Sequence, residues 1–172
     1  MQNKKHLVFT IVVSALALAM NIFIIVQACL NGEQSGSASG ILVNILKSFI
    51  GIFNKEAINE ENIGTFTSVI RKLIGHFGFF AVSGALTTWS VYLVTCYLKK
   101  YKHYMGIIFS LCFGLFLGGL TELIQVFVPG RGPQVTDVLI DFGGYILGAA
   151  IVILILAIHI RRKEIELEEK VQ

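Results

Sequence analysis

Charge is scarce along this chain: 15% of its 172 residues are Asp, Glu, Lys or Arg, against 55% that are hydrophobic. That balance, with a mean hydropathy of +0.74, excludes a soluble globular domain and sorts the chain into the membrane class. Cysteine is nearly absent. Cys29, Cys96 and Cys112 have no CxxC spacing, which argues against a disulfide framework and leaves apolar packing as their role. Proline occurs twice, at Pro129 and Pro133, both in one short loop. There is no GxSxG, HExxH or other catalytic motif, and no internal repeat. Four membrane-length runs leave no room for a separate soluble domain.

What is present is long apolar sequence. About 20 apolar residues cross a hydrocarbon core as a helix. Four runs qualify: Leu7–Cys29, Phe77–Leu98, Gly106–Val128 and Val138–Ile160. They predict an all-α, polytopic membrane protein, a four-transmembrane-helix bundle. Residues 1–30 hold the first span, 31–70 an extracytoplasmic loop, 71–160 three further spans, and 161–172 a charged tail. Lys4, Lys5, Lys99, Lys100, Lys102, Arg161, Arg162 and Lys163 flank three of the membrane edges. The positive-inside rule places them, and both termini, in the cytoplasm of a multi-pass plasma-membrane protein. These basic ends are read as topology determinants, not as a nucleic-acid patch. Lys4 and Lys5 before an apolar run also fit a signal peptide. The run is long for one, however, and Ala15-Leu16-Ala17 comes early for cleavage, so a retained span is the reading.

Along the chain, Asn21 and Gln27 in the outer half of the first span are expected to face other helices. Asn31–Gly40 is Gly/Ser-rich and reads as a flexible loop. Ile41–Asn54 then repeats Asn44, Lys47, Ser48, Gly51 and Asn54 at helical spacing, which predicts an amphipathic interfacial helix too short to cross. Glu56–Glu61 reads as a solvated turn. Ile63–Ile74 is periodic and runs into the second span, bringing Arg71, Lys72 and His76 to its outer end. His76 shares a helical face with Lys72, Phe79, Phe80 and Ser83. Lys99–Tyr104 is a short cytoplasmic turn, and Gly114 and Gly118 form a GxxxG pair suited to close helix contact.

The chemistry concentrates between Gly114 and Gly148. Glu122 and Gln125 lie one turn apart near the outer end of the third span. Pro129-Gly130-Arg131-Gly132-Pro133 forces an irregular turn. Thr136 is suited to cap the fourth span, Asp137 sits in its first turn, and Asp141 follows one turn deeper. Capping accounts for Asp137 but for neither Asp141 nor Glu122. Carboxylates inside apolar runs are costly and need a partner: Arg131, Arg71, Lys72, a cation or a shared proton. Topology brings all of these residues and His76 to the outer leaflet. The inner halves of the spans carry no matching charge, so one outward polar cavity is expected, not a pore.

His76 with Phe77 and Phe80 after an Arg-Lys pair, Thr121-Glu122-x-x-Gln125, Pro-Gly-Arg131-Gly-Pro, and Asp137-x-x-x-Asp141 with Gly144 and Gly148 together resemble the VanZ-like family, from about Arg71 to Ile151. The 31–70 segment is where members are expected to differ. The resemblance implies a bacterial cell-envelope protein, in a family associated with glycopeptide (teicoplanin) resistance, but supplies no reaction, cofactor or dedicated metal ligand. Three functions stay open. In the first, the cavity binds an amphiphile such as a lipid-linked cell-wall precursor or lipoglycopeptide antibiotic. Arg131, Arg71 and Lys72 then meet its anionic groups, and Gln125, Glu122, Asp137 and Asp141 its polar ones. The second is an enzyme on an outer-leaflet lipid, with Glu122, Asp141 and His76 in acid–base roles, or these and Asp137 holding a divalent cation. The third is a small transporter. Membrane lipids are the expected surroundings, and homo-oligomerisation is left open.

Overall fold

A bilayer core offers no water to backbone amides, so apolar runs of this length close their hydrogen bonds internally as helices. The computed structural model describes residues 2–54, 57–98 and 103–170 and places them in helices α1 (Gln2–Cys29), α2 (Gly32–Phe53), α3 (Ile63–Ile70), α4 (Phe79–Leu98), α5 (His103–Val126) and α6 (Val135–Glu169). Between α3 and α4 the chain stays helical but widens to π winding over Arg71–Gly78, so residues 63–98 form one rod. The all-α polytopic expectation holds. Among the described residues, five helices are long and apolar enough to cross a membrane, one more than the four runs in the sequence.

The extra one is α2, and it corrects two expectations. Asn31–Gly40 is not a loop, and the helix does not begin near Ile41. The Asn31 side chain accepts from the Gln34 backbone N–H at 2.8 Å while the Gln34 side chain accepts from the Asn31 N–H at 3.2 Å. That reciprocal capping box starts the helix at Gly32 despite the glycines and serines that follow. At 22 residues the helix is about 33 Å long, enough to span.

Other boundaries shift less. Helix α6 continues past Ile160 through Arg161–Lys163 to Glu169, into what reads as a tail. Its N-cap is Gln134, in extended conformation, not Thr136, and no side chain caps it. Residues 57–62 form bends and a turn in which Asn59 and Asn62 hydrogen-bond each other's backbone N–H groups. Glu56 and most of the 99–104 turn, with Lys99, Lys100 and Lys102, lie outside the described residues. All three cysteines are free and lie on the exposed faces of their helices.

Contacts between helices set the topology. Helix α1 runs antiparallel to α4: Ser14 meets Ser90 at 2.8 Å, and Asn21 donates to Thr87 at 3.2 Å and accepts from Ser83 at 2.6 Å. Asn21 therefore faces inward. Helix α5 runs antiparallel to both α4 and α6, joined through Ser110 to Thr88 at 2.8 Å and to the fully buried Tyr145 at 3.0 Å. Helices α4 and α6 are parallel, with the most extensive contact.

Lipid tails are as apolar as leucine, so such helices associate through close packing and hydrogen bonds, each bond worth about 0.6 kcal/mol. Small residues set the approach. A Cβ on Gly84 would strike the Tyr145 carbonyl, and one on Gly148 the Ala81 carbonyl. Gly114 lies under the Tyr145 ring and Gly118 against Asp141, so the GxxxG pair of α5 does face α6. Large apolar side chains such as Leu16, Ile22, Phe109, Phe116, Leu154 and Ile155 point outward. This topology puts the C-terminal ends of α1 and α5 and the N-terminal ends of α4 and α6 together.

Candidate functional site

That end of the bundle holds the polar residues. Gly130, at φ +73°, turns the chain after α5, and residues 131–134 return without helical structure to α6. The loop is clamped from two sides. The Gly32 N–H at the start of α2 donates to the Pro129 carbonyl at 3.1 Å, and Arg131 Nη1 donates to Ser35 Oγ. From below, Glu122 accepts from the Gln134 backbone N–H at 2.8 Å and from Gln125 Nε2 at 3.1 Å. Gln134, the N-cap of α6, is thereby tied to α5.

Beside Glu122 lies a second group, fixed by the π-wound stretch. Lys72 Nζ is 2.7 Å from Asp137 Oδ1 and donates to Gln134 Oε1 at 3.0 Å. His76 sits between the two aspartates, with Nδ1 3.0 Å from Asp141 Oδ1 and Nε2 3.7 Å from Asp137 Oδ2. Asp141 is fully buried, and its Oδ2 has no hydrogen-bond partner among the described residues. One donor atom each from His76, Glu122 and Asp141 lie within 4.8 Å of one another. Helices widened to π winding recur at functional sites because the extra residue re-aims the side chains around it. Here both Lys72 and His76 reach α6 from one stretch.

Of these groups, His76 and Asp141 line a cavity of about 260 Å³. Arg71, His76, Thr121, Gln125, Arg131 and Asp141 supply polar lining, joined by Gln27 and Ser35, while Phe23, Ile24, Leu42, Ile70, Ile74 and Phe79 make the apolar walls. Phe23 and Phe79 meet edge to face at 5.1 Å. The Nε atoms of Arg71 and Arg131 are buried without a partner among the described residues. Burial pulls the Arg131 pKa below its ordinary value, the Arg71 charge acts in the same direction, and Glu122 and Asp137 oppose both. The guanidinium nonetheless stays charged.

A family model described as VanZ/LLP1 matches residues 7–156. The chain belongs to the VanZ/LLP1 family. No curated protein and no solved structure matches it. The VanZ/LLP1 match takes in α1 and α2 as well as the three later spans, so the family's likeness is wider than the Arg71–Ile151 motifs, and the 31–70 segment lies inside it.

All eight residues singled out in the sequence come to this end of the VanZ/LLP1 bundle, but in two layers. Arg71, His76, Gln125, Arg131 and Asp141 line the cavity, whereas Glu122 and Asp137 lie behind it against Gln125 and His76, and Lys72 holds Asp137. Ser35 and Gln134 are absent from the sequence reading. Ser35 was hidden in a stretch read as loop. The Asn31-x-x-Gln34 spacing before an apolar run was the signal for the helix that carries it.

Proposed function

We propose that this VanZ/LLP1 protein binds the anionic headgroup of an amphiphile, a lipid-linked cell-wall precursor or lipoglycopeptide, and so contributes to glycopeptide resistance of a bacterial envelope. One observation carries the reading: two arginines whose buried Nε groups have no partner among the described residues share a cavity whose other wall is apolar. Like charges held together in low dielectric ask for an anion between them, and guanidinium forks meet phosphate or carboxylate through paired charge-assisted bonds. The apolar wall suits the adjoining hydrocarbon. At about 260 Å³ the cavity lies just under the range of sites that enclose a whole drug-sized ligand, so it suits a headgroup and not an entire glycopeptide. The positive-inside reading directs it to the extracytoplasmic leaflet.

Substituting Arg131→Ala is expected to weaken binding of a phosphate-bearing polyprenyl lipid by about 10- to 100-fold, the worth of a hydrogen bond to a charged group. Arg71→Ala should do the same. Both variants should lower teicoplanin protection in a susceptible Gram-positive host, measured at equal membrane abundance. Full protection and unchanged lipid binding by the two variants would refute the reading.

A further inference from the structure

We propose that His76, Glu122 and Asp141 form a site for one divalent transition-metal ion at the wall of the cavity. Their donor atoms lie within 4.8 Å of one another. Ligands at about 2.0–2.2 Å from a shared ion end roughly 3–4 Å apart, so the set closes with side-chain adjustments of about an ångström. A second, independent observation points the same way: Asp141 is fully buried, yet Oδ2 has no partner among the described residues. A carboxylate oxygen left unmet in the interior is costly, and a cation satisfies it.

The surroundings are those a metal site uses. Metal-bound histidine ordinarily directs its other ring nitrogen at a carboxylate, which fixes the tautomer. With Nδ1 turned toward the ion, Nε2 faces Asp137 Oδ2 at 3.7 Å, and Lys72 fixes Asp137 from behind. Glu122 is oriented in turn by Gln125 and the Gln134 N–H, and each of its oxygens keeps a free lone pair. One imidazole and two carboxylates suit Zn²⁺ or Mn²⁺, whereas Ca²⁺ and Mg²⁺ prefer all-oxygen sets. Three protein ligands leave a position open, and His76 and Asp141 line the cavity, so that position faces it. An anionic oxygen completes the coordination there, between Arg71 and Arg131. That last step rests on the amphiphile reading; the ion site itself does not.

The test uses the full chain in detergent, stripped with chelator and then titrated with Zn²⁺ or Mn²⁺ alone. One equivalent per chain is expected to survive desalting, with higher thermal stability, and Co²⁺ should give the visible bands of a site with four or five ligands. Glu122→Gln, Asp141→Asn and His76→Gln should each lose the bound ion. Asp137→Asn should weaken it by about 10- to 100-fold, as loss of an outer carboxylate does. Only variants with the native size-exclusion profile are scored, and the Co²⁺ spectrum of the unsubstituted chain needs none. No ion retained by the unsubstituted chain, or undiminished affinity in folded Glu122→Gln and His76→Gln, overturns the site. Metal bound without lipid binding upholds the ion site and refutes the amphiphile reading, whereas lipid bound by protein that takes up no metal does the reverse.

Discussion

Gly148→Leu is expected to abolish accumulation of folded protein in the membrane, the largest single effect predicted for this chain. Helix α6 passes α4 so closely that a Cβ at 148 meets the backbone carbonyl of Ala81 and approaches the Ala85 amide. A flexible side chain there could turn away; a peptide group cannot move without moving its helix. Added methylenes in a packed interior cost about 1–3 kcal/mol even when the neighbours are side chains. The larger loss here comes from separating α4 from α6 along the most extensive helix contact in the bundle. Separation also strains the Thr88–Ser110–Tyr145 chain that links α4 to α6 and draws Asp141 away from His76. Gly119→Leu is the control, since a Cβ at 119 meets nothing within 4 Å among the described residues. It should leave abundance and detergent thermal stability unchanged. Equal loss from both substitutions would mean that added apolar bulk on any of these helices, not packing at 148, sets the outcome.

That close pair marks the limit of what is legible in the residues alone. Long apolar runs announce helices, and charges inside them announce a site, because both conflict with hydrocarbon unless something answers them. Matching Glu122 and Asp141 in depth needs only a rise per residue and alternating spans. Which face of the 63–98 rod receives Gly144 and Gly148 has no local signature, since small residues are compatible with many neighbours. The π winding of Arg71–Gly78 is likewise invisible: simple helical spacing puts Lys72 and His76 on one face but does not say that both reach α6. For α2 the reason differs. Its Gly/Ser content reads as breaker chemistry, yet the Asn31–Gln34 capping box and the clamp onto Pro129 outweigh it, a tertiary contact overriding weak local propensity.

Glu122 shows how a residue outside the cavity wall governs what happens inside it. In metal-free protein, Glu122→Ala is expected to cost about 1–3 kcal/mol, because it strips the acceptor from two donors and the one on a buried residue, Gln125, is left unmet. Those donors are the Gln125 side-chain amide and the Gln134 backbone N–H. The second fastens the 127–134 loop to α5, and that loop carries Arg131, which reaches Ser35 at the other side of the cavity. Freed at Gln134, the loop should become sensitive to protease and hold Arg131 less well, so anion binding falls although Glu122 lines no part of the cavity. Glu122→Gln separates structure from charge. Its carbonyl accepts from Gln134, and a flip of the Gln125 amide supplies an acceptor for the new NH₂, so stability should stay within about 1 kcal/mol of the unsubstituted chain. Thermal unfolding in detergent with limited proteolysis reads both. A Glu122→Ala protein as stable and as protease-resistant as Glu122→Gln would show that the loop is held by Gly32 and Ser35 alone. Charge, not hydrogen bonding, would then be what Glu122 contributes beside Arg131.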